Sequence, residues 1–437
     1  MNNKEKILQK ISTNSEVIGI IGLGYVGLPL AVNFAEAGIK VIGFENNQKK
    51  ADLINHGTNY IDDIRDAVLR EVVVEKLTLE ATTDISRMKE CDALIIAVPT
   101  PLDKFRKPDM SYIESACLDI GRNMKADTFV SLESTTYPTT TEDFMLPIIE
   151  RESGLKQGKD FWLAYSPERV DPGNKQFHTR NTPKVMGAMS NDGMEIGEAI
   201  YLKAINSIHK VSSPRVSEMV KILENTYRLI NISLINELAL LAGKMDINIW
   251  EVIDAAKTKP FGFQAFYPGP GIGGHCIPLD SFYLEHIAKK YDFELSMIHS
   301  AGHINMRMPH YMYIKIATAL NSQKKPVNGS NILFMGVAYK PNINDERESP
   351  ALQIMDITAH KGGLVSYHDP YIPQVKTNKG REFNSMELST KALAQSDCVV
   401  LTTNHKAFDI ETIQEHASLI VDLRNMVKES TNGVFKL

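Results

Sequence analysis

The stretch FYPGPGIGGHCIPLD, Phe266 to Asp280, contains four glycines, three prolines and one cysteine. Glycine and proline at that density exclude a helix or a central strand, so the stretch reads as a rigid loop carrying a thiol. Rigid loops commonly position functional groups. A helical pattern follows from Asp280 to Lys290, which places Cys276 just ahead of a helix. A helix N-terminus favours the thiolate, the nucleophilic form of cysteine. The other three cysteines differ in setting. Cys91 and Cys398 start apolar strands and Cys117 lies in a helical stretch, so all three read as small core residues. His275 adjoins Cys276, but adjacent side chains need not face each other, and a base is normally distant in sequence from its nucleophile. No CxxC pair is present, and no metal site is expected.

A second group is Lys221, Asn225 and Arg228, whose +4 and +3 spacing puts them on one face of a helix. That helix is too apolar elsewhere to be a surface helix, so the three polar residues should face a polar cavity. A third is Gly22-x-Gly24-x-x-Gly27, with Glu45 a further 18 residues on. Glycines there let backbone N–H groups approach a pyrophosphate at a helix N-terminus. A carboxylate at Glu45 accepts from a ribose 2′-hydroxyl and repels a 2′-phosphate, which selects NAD over NADP. Lys50 either approaches the adenosine end or is a solvated helix lysine.

Together these groups outline a reaction. An alcohol that gives up a hydride becomes an aldehyde, a thiolate adds to it, a second hydride transfer yields a thioester, and water releases an acid. That route needs a nucleophile, oxyanion donors and a positioned water. Cys276, Lys221 with Asn225, and Glu168 or Asp280 can supply them. A single oxidation, or an NAD-binding regulator without turnover, leaves Cys276 with no task.

The elements that must hold these residues alternate. EVIGIIGLGYVGLPLAVNFAEAGIKVIGFENN reads as strand Val17 to Ile21, glycine turn, helix to Ala37, strand Lys40 to Phe44, then the acid. CDALIIAVPTP, TFVSLESTTYP and FWLAYSPERV are further strands, each ending in polar residues. Alternation of this kind predicts a mostly parallel sheet with ligands beyond its carboxyl ends. The middle of the chain is helical. Pro214 to Ala242 reads as one long helix, opened by Ser-Pro and closed by Gly243, and its several apolar faces call for more than one covering neighbour. NSQKKPVNGS, Asn321 to Ser330, is a polar linker, after which NILFMGVAY, LVSYHDP, SDCVVLTT and SLIVDLRN restore the α/β pattern. The fold expected is α/β: an N-terminal Rossmann-type NAD domain over 1–211, a central helical domain with the spine helix and cysteine loop over 212–320, and a C-terminal Rossmann-like domain over 321–437.

Composition narrows the class. The chain has 437 residues, 43% hydrophobic and 23% charged, with 48 basic and 53 acidic side chains and a net charge of −5. No basic field suggests nucleic acid, and an anionic ligand would need local cations. No apolar run approaches the roughly 18 residues of a membrane span, and the N-terminus lacks the core of a signal peptide. A cytoplasmic protein with no membrane partner is expected.

The motifs GLGYVGLPLA, VPTP, LESTTYP, YSPERVDPGN, KILENTYRLINISLINE, PGPGIGGHCIPLD, YKPNINDERESP and DLRN, in this order over nearly the whole chain, resemble the UDP-glucose/GDP-mannose dehydrogenase family, the nucleotide-sugar 6-dehydrogenases. The forms SPERVDPGN, TKPFGF and GGHCIP are most similar to the UDP-N-acetylglucosamine 6-dehydrogenases of bacterial O-antigen and capsule pathways. The resemblance implies two NAD-dependent oxidations of a UDP-sugar, with 321–437 as the nucleotide-sugar domain, and a homodimer or higher homo-oligomer. It implies Cys276 as nucleophile, Lys221 as oxyanion donor or proton shuttle with Asn225 beside it, Glu168 and Asp280 in proton transfer and water activation, and Thr135 near that water and the cofactor. It implies NAD contacts at Gly22, Gly24, Tyr25, Val26, Gly27, Glu45, Lys50, Thr100 and Thr135, with Arg347 reaching from the third domain. Substrate contacts are implied at Arg169, Val170, Lys221, Asn225, Arg228, Tyr339, Lys340 and Arg424. UDP-N-acetylmannosamine, UDP-N-acetylgalactosamine and UDP-glucose remain alternative substrates. Three positions depart from the family pattern: Glu45 replaces an aspartate, Thr139 stands where relatives often carry glycine, and Ser281 replaces a proline.

Overall fold

The computed structural model describes residues 2–61, 64–103, 107–171, 173–174, 176–274, 276–428 and 433–437, without the side chains of 276, 278 and 279. It divides into two compact units, Met1–Glu224 with Phe282–Phe293, and Asn225–Ser281 with Glu294–Leu437.

The first unit is built on β1 (Val17–Ile21), β2 (Lys40–Phe44), β3 (Leu79–Thr82), β4 (Ala93–Ile96), β5 (Thr128–Leu132), β6 (Phe161–Tyr165), β7 (Lys184–Ala188) and β8 (Ile208–Val211). They pair in the order β3-β2-β1-β4-β5-β6-β7-β8. All pairs are parallel except β6 with β7. The first six follow the doubly wound order of dinucleotide-binding sheets. Their continuous apolar sequences follow from burial on both faces. Ile18 and Ile20 of β1, with Ala93 and Ile95 of β4, join one core. Ile21, with Leu94 and Ile96, joins the other. Cys91 and Cys117 lie fully buried in or beside these layers, and burial pushes the Cys91 thiol up to about 12.

The second unit carries β9 (Asn331–Met335), β10 (Leu364–His368), β11 (Gln374–Lys376), β12 (Glu382–Asn384), β13 (Cys398–Leu401), β14 (Ile420–Asp422) and β15 (Val434–Lys436). Its main sheet is parallel, ordered β10-β9-β13-β14-β15, while β11 and β12 form an antiparallel hairpin. The order reverses between β9 and β13, and a switch point of that kind opens a ligand crevice at the strands' carboxyl ends. Cys398 lies in this core, with its thiol also raised to about 12 by burial.

The long helix runs Pro214–Lys244, passing from the first unit to the second after Glu224. The helix after the cysteine loop is Cys276–Ala288, so it begins at Cys276 itself rather than at Asp280. Pro278 falls in its first turn, where proline's missing N–H leaves no helical bond unmade. The segment after Lys290 forms a 27-residue helix, Ser296–Ser322, with Pro309 inside it. A proline within a helical pattern normally signals a boundary, which hides such a helix from sequence reading.

The entry to the long helix depends on Gly187 in β7. A Cβ there would lie 2.0 Å from the carbonyl oxygen of Ser213 and 2.8 Å from the nitrogen of Pro214. Backbone cannot yield as a side chain does. Gly187→Ala should therefore lower stability by about 1–3 kcal/mol. Urea denaturation measures this, and an unchanged midpoint would show that the helix entry does not press on β7.

Candidate functional site

The turn after β1 gives each of its three glycines a separate role. Gly22 has φ of 90°, a left-handed conformation, and a Cβ on it would meet the carbonyl of Ala97 at 2.8 Å. Gly27 opens the helix Gly27–Glu36, and its Cβ would fall 1.9 Å from the carbonyl oxygen of Gly22. A Cβ on Gly24 would meet no atom within 4 Å. No protein contact requires glycine there, so the space above it suits a ligand that must approach the backbone. The helix N-terminus at Val26 has no side-chain cap, leaving its N–H groups for an anion. Glu45, at the end of β2, folds its carboxylate against the turn, accepting from the Leu23 N–H at 3.4 Å and the Asn47 N–H at 3.1 Å. Tyr60 donates to the Leu23 carbonyl at 2.6 Å, and Lys50 lies 5.5 Å from the centre of the Tyr60 ring. Tyr25 is exposed at the lip. These residues fit a dinucleotide.

Further along the same sheet edge lie the other predicted residues of the first unit. Thr100, after β4, is buried, and its carbonyl accepts from the Tyr283 hydroxyl. Thr135 is half-buried in the loop after β5. After β6, Glu168 turns its carboxylate back on its own loop and accepts the N–H groups of Arg169 and Val170, each at 2.8 Å. Lys221 donates to the Glu168 carbonyl at 2.6 Å, so this segment and the long helix are joined at the predicted pair. Arg169 forks onto Glu224 at 2.5 and 3.3 Å and donates to the Pro183 carbonyl at 2.7 Å.

Two groups here escape sequence reading. Glu133 is buried at the end of β5, ion-paired to Lys184 and accepting from the Tyr201 hydroxyl at 2.6 Å. Lys184 also reaches the carbonyls of Ser166 and Pro167 at 3.5 and 3.4 Å, steadying the strand end that leads into Glu168. Its signal is an acid placed directly after an apolar strand. The second is Glu218, which accepts the Thr139 N–H at 2.6 Å, the Thr141 N–H at 2.9 Å and the Thr141 hydroxyl at 2.7 Å. Burial raises its pKa to about 6, partly offset by those bonds. Its signal is an acid three residues before Lys221 on an otherwise apolar helix. Thr139 has φ of 83°, a left-handed conformation that Glu218 holds through the Thr139 N–H.

The second unit holds the cysteine loop. Asn225 donates to Asp280 at 2.5 Å, both buried. Arg228, on the same helix face as Asn225, is exposed. Helix register fixes a residue's face and not what lies over it. The loop glycines answer to the C-terminal sheet of the same unit. A Cβ on Gly269 would lie 2.5 Å from Nη1 of Arg424, one on Gly273 2.7 Å from Cβ of Tyr339, and one on Gly274 2.8 Å from the Tyr339 ring. The Gly274 N–H donates to the Arg347 carbonyl at 2.9 Å, and Arg347 forks onto Asp345. Arg424 donates through Nε to the Thr402 carbonyl at 2.9 Å and has no acidic partner among the described residues. The residue keeps some exposure, yet burial of its guanidinium without a counter-charge lowers its pKa to about 10. Lys340 adjoins Tyr339 in the segment after β9. His275 and the Cys276 side chain lie outside the described residues.

Three family models of the UDP-glucose/GDP-mannose dehydrogenase family match the chain: the NAD binding domain over residues 16–205, the central domain over 215–307 and the UDP binding domain over 333–429. Protein CapL of Staphylococcus aureus is 34% identical over 407 residues, 93% of each chain. A UDP-N-acetyl-D-glucosamine 6-dehydrogenase of Pseudomonas aeruginosa is 32% identical over 424 residues, 95% of this chain and 98% of that one. Among solved structures, the UDP-D-ManNAc dehydrogenase of Pyrococcus horikoshii superposes with a TM-score of 0.87 at 32% identity, covering 96% of this chain and 98% of that one.

Gly24 separates ligand contact from folding. Gly24→Ala should leave the melting temperature unchanged, since no protein atom meets the new methyl. It should raise the KM for NAD on the order of tenfold, because the pyrophosphate would lose close access to the backbone. Initial rates over a range of NAD concentrations decide this, and an unaltered KM would remove Gly24 from the cofactor site.

Proposed function

The chain belongs to the UDP-glucose/GDP-mannose dehydrogenase family and is an NAD-dependent nucleotide-sugar dehydrogenase, and on that premise we propose that it oxidises the 6-hydroxyl of UDP-N-acetylglucosamine to UDP-N-acetylglucosaminuronic acid, for a surface polysaccharide such as an O-antigen or capsule. Arg424 carries the reading. A guanidinium enclosed without an acid, against Gly269 of the cysteine loop, supports an anionic ligand bound beside that loop in a protein of net charge −5. The match to the Pseudomonas enzyme supports the glucosamine configuration. The Pyrococcus structure favours the mannosamine epimer as the second reading.

Bound NAD would supply the two-electron acceptor for each hydride leaving C6. The residues of the chain then have these roles. Gly22, Gly24, Gly27 and Glu45 seat the cofactor. Tyr339, Lys340 and Arg424 hold the nucleotide end of the substrate, with Arg169, Val170 and Arg228 as further contacts. Loss of hydride and of the hydroxyl proton leaves an aldehyde. The Cys276 thiolate adds to its carbon, forming a C–S bond, and Lys221 and Asn225 donate to the oxygen that becomes anionic. After the second hydride leaves, the thioester is attacked by water, whose proton passes to Glu168 or Asp280. The C–S bond breaks and the thiolate returns. The division of labour follows the domains 1–211, 212–320 and 321–437.

A homo-oligomer belongs to the same proposal. Val216, Met219, Leu223, Tyr227, Leu234, Leu238 and Leu241 form one exposed stripe along the long helix, with Leu223 62% exposed. Apolar residues at i, i+3, i+4 and i+7 spacing make a face suited to a second helix, and a second copy of the chain is its assigned cover. Leu223→Asp with Leu238→Asp should shift the protein to monomer in sedimentation; a native protein already monomeric refutes the assignment.

The decisive assay supplies NAD with UDP-N-acetylglucosamine, its manno and galacto epimers, and UDP-glucose. Turnover should be fastest with the gluco compound and yield about two NADH per uronic acid, as two hydride transfers require. Cys276→Ala should make no acid, and Arg424→Ala should weaken UDP binding far more than NAD binding. One NADH per product, or full acid yield without Cys276, would return a single oxidation to first place.

A further inference from the structure

One buried polar pair stands outside the roles assigned above. His405, after β13, is buried, with its ring 5.0 Å from Tyr371 and 5.2 Å from Phe408, centre to centre. The Asn342 N–H donates to its Nδ1 at 2.9 Å. Nδ1 is therefore the acceptor, and the proton on Nε2 is placed to donate to Asp369 Oδ2, 3.1 Å away. Asp369, after β10, also accepts the N–H groups of Val337 at 2.7 Å and Ala338 at 3.1 Å, and through its other oxygen those of Tyr371 and Ile372. Burial alone would raise this carboxyl, but the bonds from His405 and the backbone outweigh it and hold its pKa below the usual range.

These bonds meet on one short segment. Residues 336–342 leave β9 at the carboxyl edge of the sheet. Asp369 holds the segment at Val337 and Ala338, the Thr403 hydroxyl donates to the Ala338 carbonyl at 2.6 Å, and His405 holds it at Asn342. Asn342 has φ of 62° and accepts the Lys406 N–H on its side chain at 2.8 Å, so its left-handed turn is fixed from both sides. Tyr339 and Lys340 are the residues between the two points of attachment. We infer that His405 and Asp369 are positioning residues for the nucleotide half of the substrate, setting the Tyr339–Lys340 segment through a hydrogen bond at each of its ends. The inference rests on the nucleotide reading of Tyr339 and Lys340 given above. Three strands meet in this arrangement: β9 supplies the segment, β10 the aspartate and β13 the histidine. The segment at the edge of the crevice between β9 and β13 is thereby fixed on both neighbouring strands.

The two nitrogens of His405 can be tested apart. Asn in place of His sets a polar atom near the Nδ1 position and can still accept from Asn342. Gln sets one near Nε2 and keeps only the bond to Asp369. His405→Gln should weaken binding of free UDP, read by calorimetry, about tenfold, as expected for one lost buried hydrogen bond transmitted to the ligand. Its KM for the UDP-sugar should rise similarly, with kcat and the KM for NAD within about twofold. His405→Asn should stay within about threefold of the unmodified protein on every measure. His405→Phe should behave as the Gln variant or worse, and if it fails to fold the Asn–Gln contrast still decides. A Gln variant that melts lower but binds UDP normally would make the pair merely structural and overturn the inference. Equal losses of UDP and NAD affinity in both variants would overturn it as general disorder. Failure of the unmodified protein to bind UDP would instead overturn the nucleotide reading itself, and the inference with it.

Discussion

Backbone can lie directly against a side chain or another backbone only where it carries no Cβ, and both the glycine turn after β1 and the cysteine loop are built on that constraint. In the first unit it lets the helix Gly27–Glu36 start within contact of the Gly22 carbonyl, which draws the turn tight under the space at Gly24. In the second it lets the cysteine loop press on Tyr339 and Arg424. Glycine costs conformational entropy when it is ordered. In the cysteine loop the offset comes from Pro268 and Pro270, whose fixed φ narrows the unfolded ensemble.

Carboxylates holding loops are the second recurring device. Glu45, Glu168, Glu218, Asp369 and Asp422 each accept backbone N–H groups from loops beyond the carboxyl ends of strands. Such bonds are charge-assisted and stronger than neutral ones. They order irregular segments that a sheet cannot hold, because the strands have already ended. The acidic excess of the chain is thus partly structural. Two cations stand apart from this pairing: the Lys221 ammonium reaches the Glu168 carbonyl rather than an acid, and the Arg424 guanidinium has no acid among the described residues.

The four cysteines show the same economy of environment. Cys91, Cys117 and Cys398 are buried in cores where desolvation suppresses the thiolate. Cys276 starts a helix, where the dipole favours it.

Strands β1 and β2, the glycine turn and the long helix were legible directly, because hydrophobic period, glycine spacing and helix-start residues are local signals. So was the placing of Cys91, Cys117 and Cys398 in apolar cores. The helix Ser296–Ser322 was not, because its proline imitates a boundary, and the start at Cys276 was hidden by a loop composition that continues into the first turn. Pairings across long separations were also out of reach. Glu218 with Thr139, Glu133 with Lys184, and His405 with Asn342 depend on which strand ends lie side by side. Nor does register along the long helix say that Lys221 and Asn225 are covered while Arg228 is exposed. Local chemistry fixes what each residue can do and which way it projects; the packing of distant segments decides which neighbour it meets, because burial and hydrogen bonding are properties of the assembled chain.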